Sequence, residues 1–278
     1  RAQVLGLKLF VETTYPSYHI YRSKDLLGVP KYLEDTANHK PMEDKNVSPH
    51  ITLSMIVKNE ADRYLFEILR KYKTIIDQAV IIDDASTDNT IEIIKQVLEG
   101  IPTTIVQNKK SIFSTEYQLR KLQWEETIKK NPEWILNLDA DEELDLNAIQ
   151  NIKAYLKEVR GDLIGFTLYD FWDEDHYRAD NLWTAHNRLW PFLLRYRSEQ
   201  HYQWQANLNQ HGFRFPDSIL KNTVIESPFR IKHLGWSQPI DRVQKFYRYL
   251  ELDQQEVSNK AHYLSILDQS PNIVHWKE

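Results

Sequence analysis

From Ile51 onward, short apolar runs alternate with amphipathic stretches, and each apolar run stops at a polar cluster. This alternation narrows the possible folds more than any other feature of the chain. ITLSMIV (51–57) suits a buried parallel strand and ends in Lys58-Asn59-Glu60. Residues 61–72 then place Leu65, Ile68, Leu69 and Tyr72 on one helical stripe. QAVII (78–82) is a second strand, stopped by Asp83-Asp84. A helix over 90–98 follows, capped by Asp88 or Asn89, with Ile91, Ile94, Val97 and Leu98 as its apolar face and Gly100 at its end. TTIVQ (103–107) is a third strand, 115–130 a helix, and WILNL (134–138) a strand beyond Pro132. Such a pattern predicts an α/β fold with a mostly parallel sheet flanked by helices and one functional edge.

Composition closes off several chemistries. The 278 residues contain no cysteine, which excludes disulfide scaffolds, thiolate metal sites and thiol catalysis. Seven glycines and no Gly-rich phosphate loop argue against a P-loop or dinucleotide fingerprint. A net charge of -5 lacks the basic footprint of a nucleic-acid binder. No stretch reaches the roughly 18 apolar residues of a membrane span. A cytoplasmic location is expected, with the inner face of the membrane as a peripheral alternative.

Three segments are predicted. Residues 1–50 form an arm or the remnant of a preceding domain, with an apolar stretch at Val4–Val11 and a polar linker at 34–50. The chain opens on Arg1 rather than Met, so a further domain before it is expected. Residues 51–145 form a half of regular strand–helix alternation, and 146–278 a half of mixed character with C-terminal helices. That second half has a helix at 147–159, strands at 163–169 and 188–195 (Pro191 marking an edge or a bulge), and a helix at 239–251. The last helix is expected to bury Val243, Phe246, Tyr247 and Leu250.

The strongest local signal is LNLDADEEL (136–144), where a strand runs into Asp139 and Asp141. Two carboxylates two apart on an extended segment point the same way and repel unless a cation or protons intervene. Hard oxygen donors suit Mg²⁺ or Mn²⁺. The same residues also read as a solvated acidic turn before a helix. Asp83-Asp84-Ala85-Ser86-Thr87-Asp88 sits at another strand end, where a carboxylate accepts from a base N–H or ribose hydroxyls, or simply forms an Asx turn and helix cap. Together with Lys58-Asn59-Glu60, these clusters suggest a nucleotide pocket across adjacent strand ends.

The order V-K-N-E, D-D-A-S-T-D-N-T, L-D-A-D-E resembles the family 2 glycosyltransferases of bacterial type, with the GT-A fold, over roughly residues 51 to 250. Tyr177 to Asp180, Arg188-Leu189-Trp190, His211 to Arg214 and His233 to Trp236 resemble later segments of that family. The resemblance implies a Rossmann-related central sheet with a mixed acceptor-side region, 51–145 being the nucleotide-sugar-binding half and 146–278 the acceptor-binding half. It implies transfer of a sugar from a nucleoside-diphosphate donor (UDP, GDP or dTDP) to a carbohydrate or glycosylated acceptor, with inversion. Val57, Lys58, Asn59 and Glu60 would line the base and ribose, Asp84 would contact the base, and Asp139 would contact the ribose or the ion indirectly. Asp141 would hold Mn²⁺ or Mg²⁺, with His233 as a further ligand or as a packed histidine. His211 is a weaker candidate, and His176, His186 and His201 either touch the acceptor or pack.

Inversion needs a carboxylate base, and the acids of the second half are Asp170, Asp173, Glu174, Asp175 and Asp180. Asp180, between Tyr177 and Trp183, is the favoured base, with Asp173 and Asp175 as alternatives; a salt bridge to Arg178 or Arg188 is its structural reading. Arg188 and Arg195 either meet phosphate or flank the core. Two other functions remain open: a non-catalytic carbohydrate-binding or assembly module, and a nucleotidyltransferase, which the glycine-free loop after the first strand disfavours. Eleven of the 33 aromatic residues lie between Phe166 and Trp204, which suggests ring faces for an acceptor cleft.

Overall fold

A computed structural model describes residues 23–31, 48–204, 214–252 and 260–278. The expected Val4–Val11 element, the 34–47 part of the linker and His211 lie outside the described residues. The chain divides into two units, Arg1–Val47 and Ser48–Glu278. In the first, Ser23–Gly28 forms a 3₁₀ turn.

The second unit is built on eight strands in one sheet. Its first half runs β1 (Ile51–Val57), α1 (Leu65–Tyr72), β2 (Gln78–Asp83), α2 (Thr90–Val97), β3 (Thr103–Gln107), α3 (Glu116–Ile128) and β4 (Trp134–Asn137). It continues with β5 (Glu142–Leu144), α4 (Leu146–Glu158), β6 (Leu163–Asp170), β7 (His176–Arg178), β8 (Leu189–Arg195), β9 (Ile225–His233), α5 (Pro239–Leu252), α6 (Lys260–Ser265) and β10 (Ile273–His275). The sheet order is β3-β2-β1-β4-β8-β6-β9-β5, and β7 and β10 form a separate antiparallel pair. Strands β1 to β4 are mutually parallel; β8 enters antiparallel to both β4 and β6, while β6 and β9 are parallel. This is the GT-A-like α/β architecture predicted above, a largely parallel sheet flanked by helices.

Apolar patterning explains the first half. Every residue of β1 except the half-buried Ile56 is buried, as a strand covered on both faces requires. The α1 stripe of Leu65, Ile68, Leu69 and Tyr72 is fully buried in the main core beside Ile51, Leu53, Leu136 and Ile81. Asp145 starts α4 by accepting the Ala148 amide at 2.9 Å, while its other oxygen takes Arg230 Nε at 3.0 Å. Both predicted halves thus share one sheet and one core.

Three readings change and one holds. Glu142 and Glu143 belong to strand β5, because β9 offers an antiparallel partner in register Glu142↔His233. β9 itself carries Ser227 and Pro228 in a broken apolar pattern and was not predicted. For Pro191 the bulge alternative holds: it lies inside the sheet opposite Gly165, next to a register shift at Ile164/Gly165 that leaves Phe192 unpaired. On α5, Val243, Tyr247 and Leu250 are exposed; its inward residues include Phe246, Lys245 and Arg242. Among the described residues no helix is long and apolar enough to cross a membrane.

Candidate functional site

β2 and β3 lie to one side of β1 and β4 to the other, so the chain reverses direction of growth between β1 and β4. Ligands of open α/β sheets bind beyond the carboxyl ends of strands at such a switch point. A cleft of about 490 Å³ opens there. It is lined by Val57, Lys58 and Glu60 from the end of β1, by Asp139 and Asp141 after β4, by His233 from β9, and by Lys245 and Arg248 from α5. Three strands and a helix distant in sequence therefore converge on one space.

The first two motifs are stitched to each other. Asn59, at φ 53°, donates its amide to Ser86 Oγ at 2.9 Å and accepts the Thr87 amide on Oδ1 at 2.8 Å. Glu60 N donates to Thr90 Oγ1 at 2.8 Å, and Ala61 N to Asp88 Oδ2 at 3.1 Å. Asn59 thus braces the loop rather than facing the cleft. Asp84 is fully buried; its carboxylate accepts from Asn108 Nδ2 at 2.9 Å, the Ile112 amide at 2.9 Å, and Ser111 Oγ, which in turn takes Lys58 Nζ at 2.7 Å. Burial alone would raise the Asp84 carboxyl, but these donors outweigh it and the group is held below its ordinary value. Glu60 has the opposite balance. Burial pushes it up to about 7 although Arg63 Nε lies 3.4 Å away, and its Oε2 makes no hydrogen bond.

The two aspartates of the third motif face different partners. Asp139 receives a two-pronged grip from Arg120 of α3, at 2.8 and 2.9 Å, and Arg214 lies 3.2 Å from its Oδ2. Arg214 also binds Glu142, whose Oε2 accepts the Asp139 amide at 2.8 Å. Burial would raise Asp139, yet the two arginines hold it at about 2; Glu142, buried and next to Asp139, is pushed up to about 7. Asp141 instead faces His233 Nε2 at 3.6 Å and Lys245 Nζ at 3.5 Å. His233 Nδ1 bonds Asp170 Oδ1 at 2.8 Å, which leaves Nε2 turned to Asp141. Burial lowers His233, but Asp141 and Asp170 more than reverse this and raise it to about 9.

Gly235 leaves the space in which these groups meet. A Cβ there would lie 2.1 Å from Lys245 Nζ, 2.3 Å from Asp141 Oδ2 and 3.0 Å from His233 Nε2. One carboxylate and one imidazole around an open cradle form a donor set that Mn²⁺ or Mg²⁺ accepts, with its remaining positions left to water or phosphate. Among the described residues no three acid or histidine side chains converge to make a closed metal cage.

The candidate bases sit elsewhere. Asp180 accepts Arg178 Nε at 2.6 Å on one oxygen and the Leu182 and Trp183 amides on the other, so the turn uses both. Asp173 uses Oδ1 for the Asp175 and His176 amides and for His176 Nδ1. Asp175 and Glu174 are exposed. His186 stacks on Tyr169, His201 is exposed, and Arg188 and Arg195 lie over Trp190 and Trp134. None of the eleven rings between Phe166 and Trp204 lines the cleft; its aromatic walls are Phe113 and Tyr249. Trp172 and Trp183 are buried with Trp236 in a cluster of their own.

Sequence reasoning missed Arg120, Arg214, Gly235 and Lys245, and placed Asp170 among the acceptor acids rather than behind His233. Arg214 ends the His211–Arg214 segment that was singled out for its histidine. Lys245 and Arg248 carried a legible signal, two cations one helical turn apart opposite an apolar stripe.

The glycosyl transferase family 2 profile matches residues 53–218. Two curated relatives, uncharacterized proteins Rv3786c of Mycobacterium tuberculosis and Mb3815c of Mycobacterium bovis, are each 24% identical over 218 residues, 72% of this chain. The chain spans about half the length of these relatives, 50% in each case. Among solved structures, S. aureus TarS is similar with a TM-score of 0.49 at 14% identity, over 78% of this chain and 42% of that one. Glucosyl-3-phosphoglycerate synthase from Mycobacterium tuberculosis, solved with Mn²⁺, UDP and glucosyl-3-phosphoglycerate, has a TM-score of 0.32 at 14% identity, over 48% of this chain and 50% of that one.

Proposed function

Because the chain belongs to glycosyl transferase family 2, we propose that it moves a sugar from a nucleoside-diphosphate donor to a hydroxyl of a carbohydrate or glycosylated acceptor, with inversion. The observation that carries this reading is the pair of Asp141 Oδ2 and His233 Nε2 facing each other across the Gly235 opening at the switch point. These two side chains would hold Mn²⁺ or Mg²⁺. Such an ion, when bound, neutralises charge that develops on a leaving diphosphate.

The chain's own residues supply the rest. Val57, Lys58 and Glu60 frame the base and ribose, and Asp84 supports that wall by holding Asn108, Ser111 and Ile112 in place. Asp139 fixes the Arg120 guanidinium beside the donor. The 146–278 half receives the acceptor. None of Asp173, Asp175 and Asp180 lines the donor cleft, and this reading gives the base to none of the three.

The test is a thermal-shift panel with UDP, GDP and dTDP, each with and without Mn²⁺, on the wild type and on Asp141→Asn. One nucleotide should stabilise the wild type strongly only when Mn²⁺ is present, and the variant should lose that difference. Equal metal dependence in the variant would sink the assignment of Asp141.

A further inference from the structure

Lys245 stands where it should be in the way. Its ammonium lies 3.5 Å from Asp141 Oδ2, and the point opened by Gly235 is 2.1 Å from it and 2.3 Å from that oxygen. The lysine therefore reaches into the space an ion on Asp141 and His233 would use. Two cations sharing one carboxylate oxygen at such range repel strongly in a partly buried site. Trp236, whose ring is 4.3 Å from Nζ, holds the ammonium on one side without neutralising it.

The cleft's other cations show where the lysine can go. Arg63 is paired with Glu60 and Asp241, and Arg120 with Asp139 and Glu116. Arg248, one turn further along α5, lies over Phe113 and Tyr249 and forms no ion pair among the described residues. Lys245 and Arg248 thus form a basic edge beside the acid that would carry the ion. A lysine stem has four rotatable carbons and suits a group that changes partner, which a guanidinium locked in a fork does not.

We infer that Lys245 is an exchangeable counter-ion: it neutralises Asp141 in the free protein and passes to the donor's phosphates when a divalent cation takes its place. This rests on the metal-dependent reading above and extends it. Asp141 would then never be left as a bare buried carboxylate, and the lysine would join the diphosphate as the ion arrives. Metal and donor would be coupled through one side chain, each favouring the other's binding.

The experiment is calorimetric titration of the wild type, Lys245→Met and Asp141→Asn with Mn²⁺ alone. The tightest binder of UDP, GDP and dTDP is then titrated at saturating Mn²⁺. In Lys245→Met, Mn²⁺ affinity without nucleotide should rise about tenfold, because the competing charge is gone, and nucleotide affinity should fall about tenfold. Unchanged or weaker Mn²⁺ binding, or tighter Mn²⁺ binding with undiminished nucleotide affinity, would overturn the exchange. Should the methionine variant not fold, Lys245→Gln carries the same two expectations. Asp141→Asn separates the ideas: retention of Mn²⁺ binding there strikes the metal site itself, whatever Lys245 does.

Discussion

The two walls of the cleft differ in how their charges are settled. On the Asp139 wall, Arg120, Arg214 and Glu142 form a closed network in which each oxygen of Asp139 meets a guanidinium and its amide meets Glu142. On the Asp141 wall, the carboxylate meets a lysine and a histidine at 3.5 and 3.6 Å, beyond good hydrogen-bond length, around a space kept open by a glycine. Two aspartates two residues apart thus do different work. The first is bound into the fold, and the second is left able to change partners. On the proposed reading, the one wall serves stability and the other ligand exchange.

The largest expected effect falls on the exchangeable wall. Asp141→Asn should cut transfer on the order of a thousandfold while unfolding near the wild-type temperature, as a rate assay beside a melting curve would show. A loss of stability matching the loss of rate would erase the contrast between the walls. Gly235→Ala should lower Mn²⁺ affinity by at least about tenfold, since its methyl would occupy the shared space; the side-chain ends it meets can move, so the fold should survive. On the closed wall, Arg120→Ala should destabilise by about 2 kcal/mol in urea unfolding, because it leaves the half-buried Asp139 with Arg214 alone.

Glu60 sharpens the comparison through pH. Its folded value near 7 lies above the ordinary 4.5, so its contribution to stability is fully present below 4.5 and is lost as pH rises through 7. Glu60→Gln should therefore match the wild type near pH 4.5 and exceed it above pH 7, by up to about 3 kcal/mol. A constant difference across that range would contradict the buried, hydrogen-bond-poor state of this carboxyl. The smallest effect is expected at Asp180→Asn, which should cost about 1 kcal/mol through the Leu182 and Trp183 turn and leave nucleotide binding unchanged. A selective collapse of transfer would restore Asp180 as the base.

These differences track what could be read along the chain. The β1–β4 half was legible because each strand is a contiguous apolar run recognisable without its partner, so Val57, Glu60, Asp139 and Asp141 fell at strand ends that local patterning already placed. β5 was not legible, since three residues rich in glutamate become a strand only when β9, almost ninety residues later, pairs with them. The α5 stripe misled for a related reason: Val243, Tyr247 and Leu250 satisfy helical periodicity, yet the face turned inward is chosen by Arg242, which donates to the Trp172, Trp236 and Ser237 carbonyls. The aromatic segment after the third motif reads as a sugar platform, yet five of its eleven rings are core and six half-buried, because ring content alone does not say which faces the sheet will cover. Arg120 and Arg214 escaped notice because nothing local marks an arginine as the partner of a distant acid.

His233 is opposite Glu142 on one neighbouring strand and Asp170 on the other. The late half of the site is therefore carried by the ladder of β9 and not by a loop. Its tolerance to change in length should be uneven. Insertions before Ile225 can be absorbed in the connection, whereas one extra residue between Phe229 and His233 would turn the imidazole to the opposite face and disconnect it from Asp141 and Asp170 together. Natural or engineered variants of this chain should accordingly diversify in the segments that lead into β9 while keeping its last five residues fixed in number.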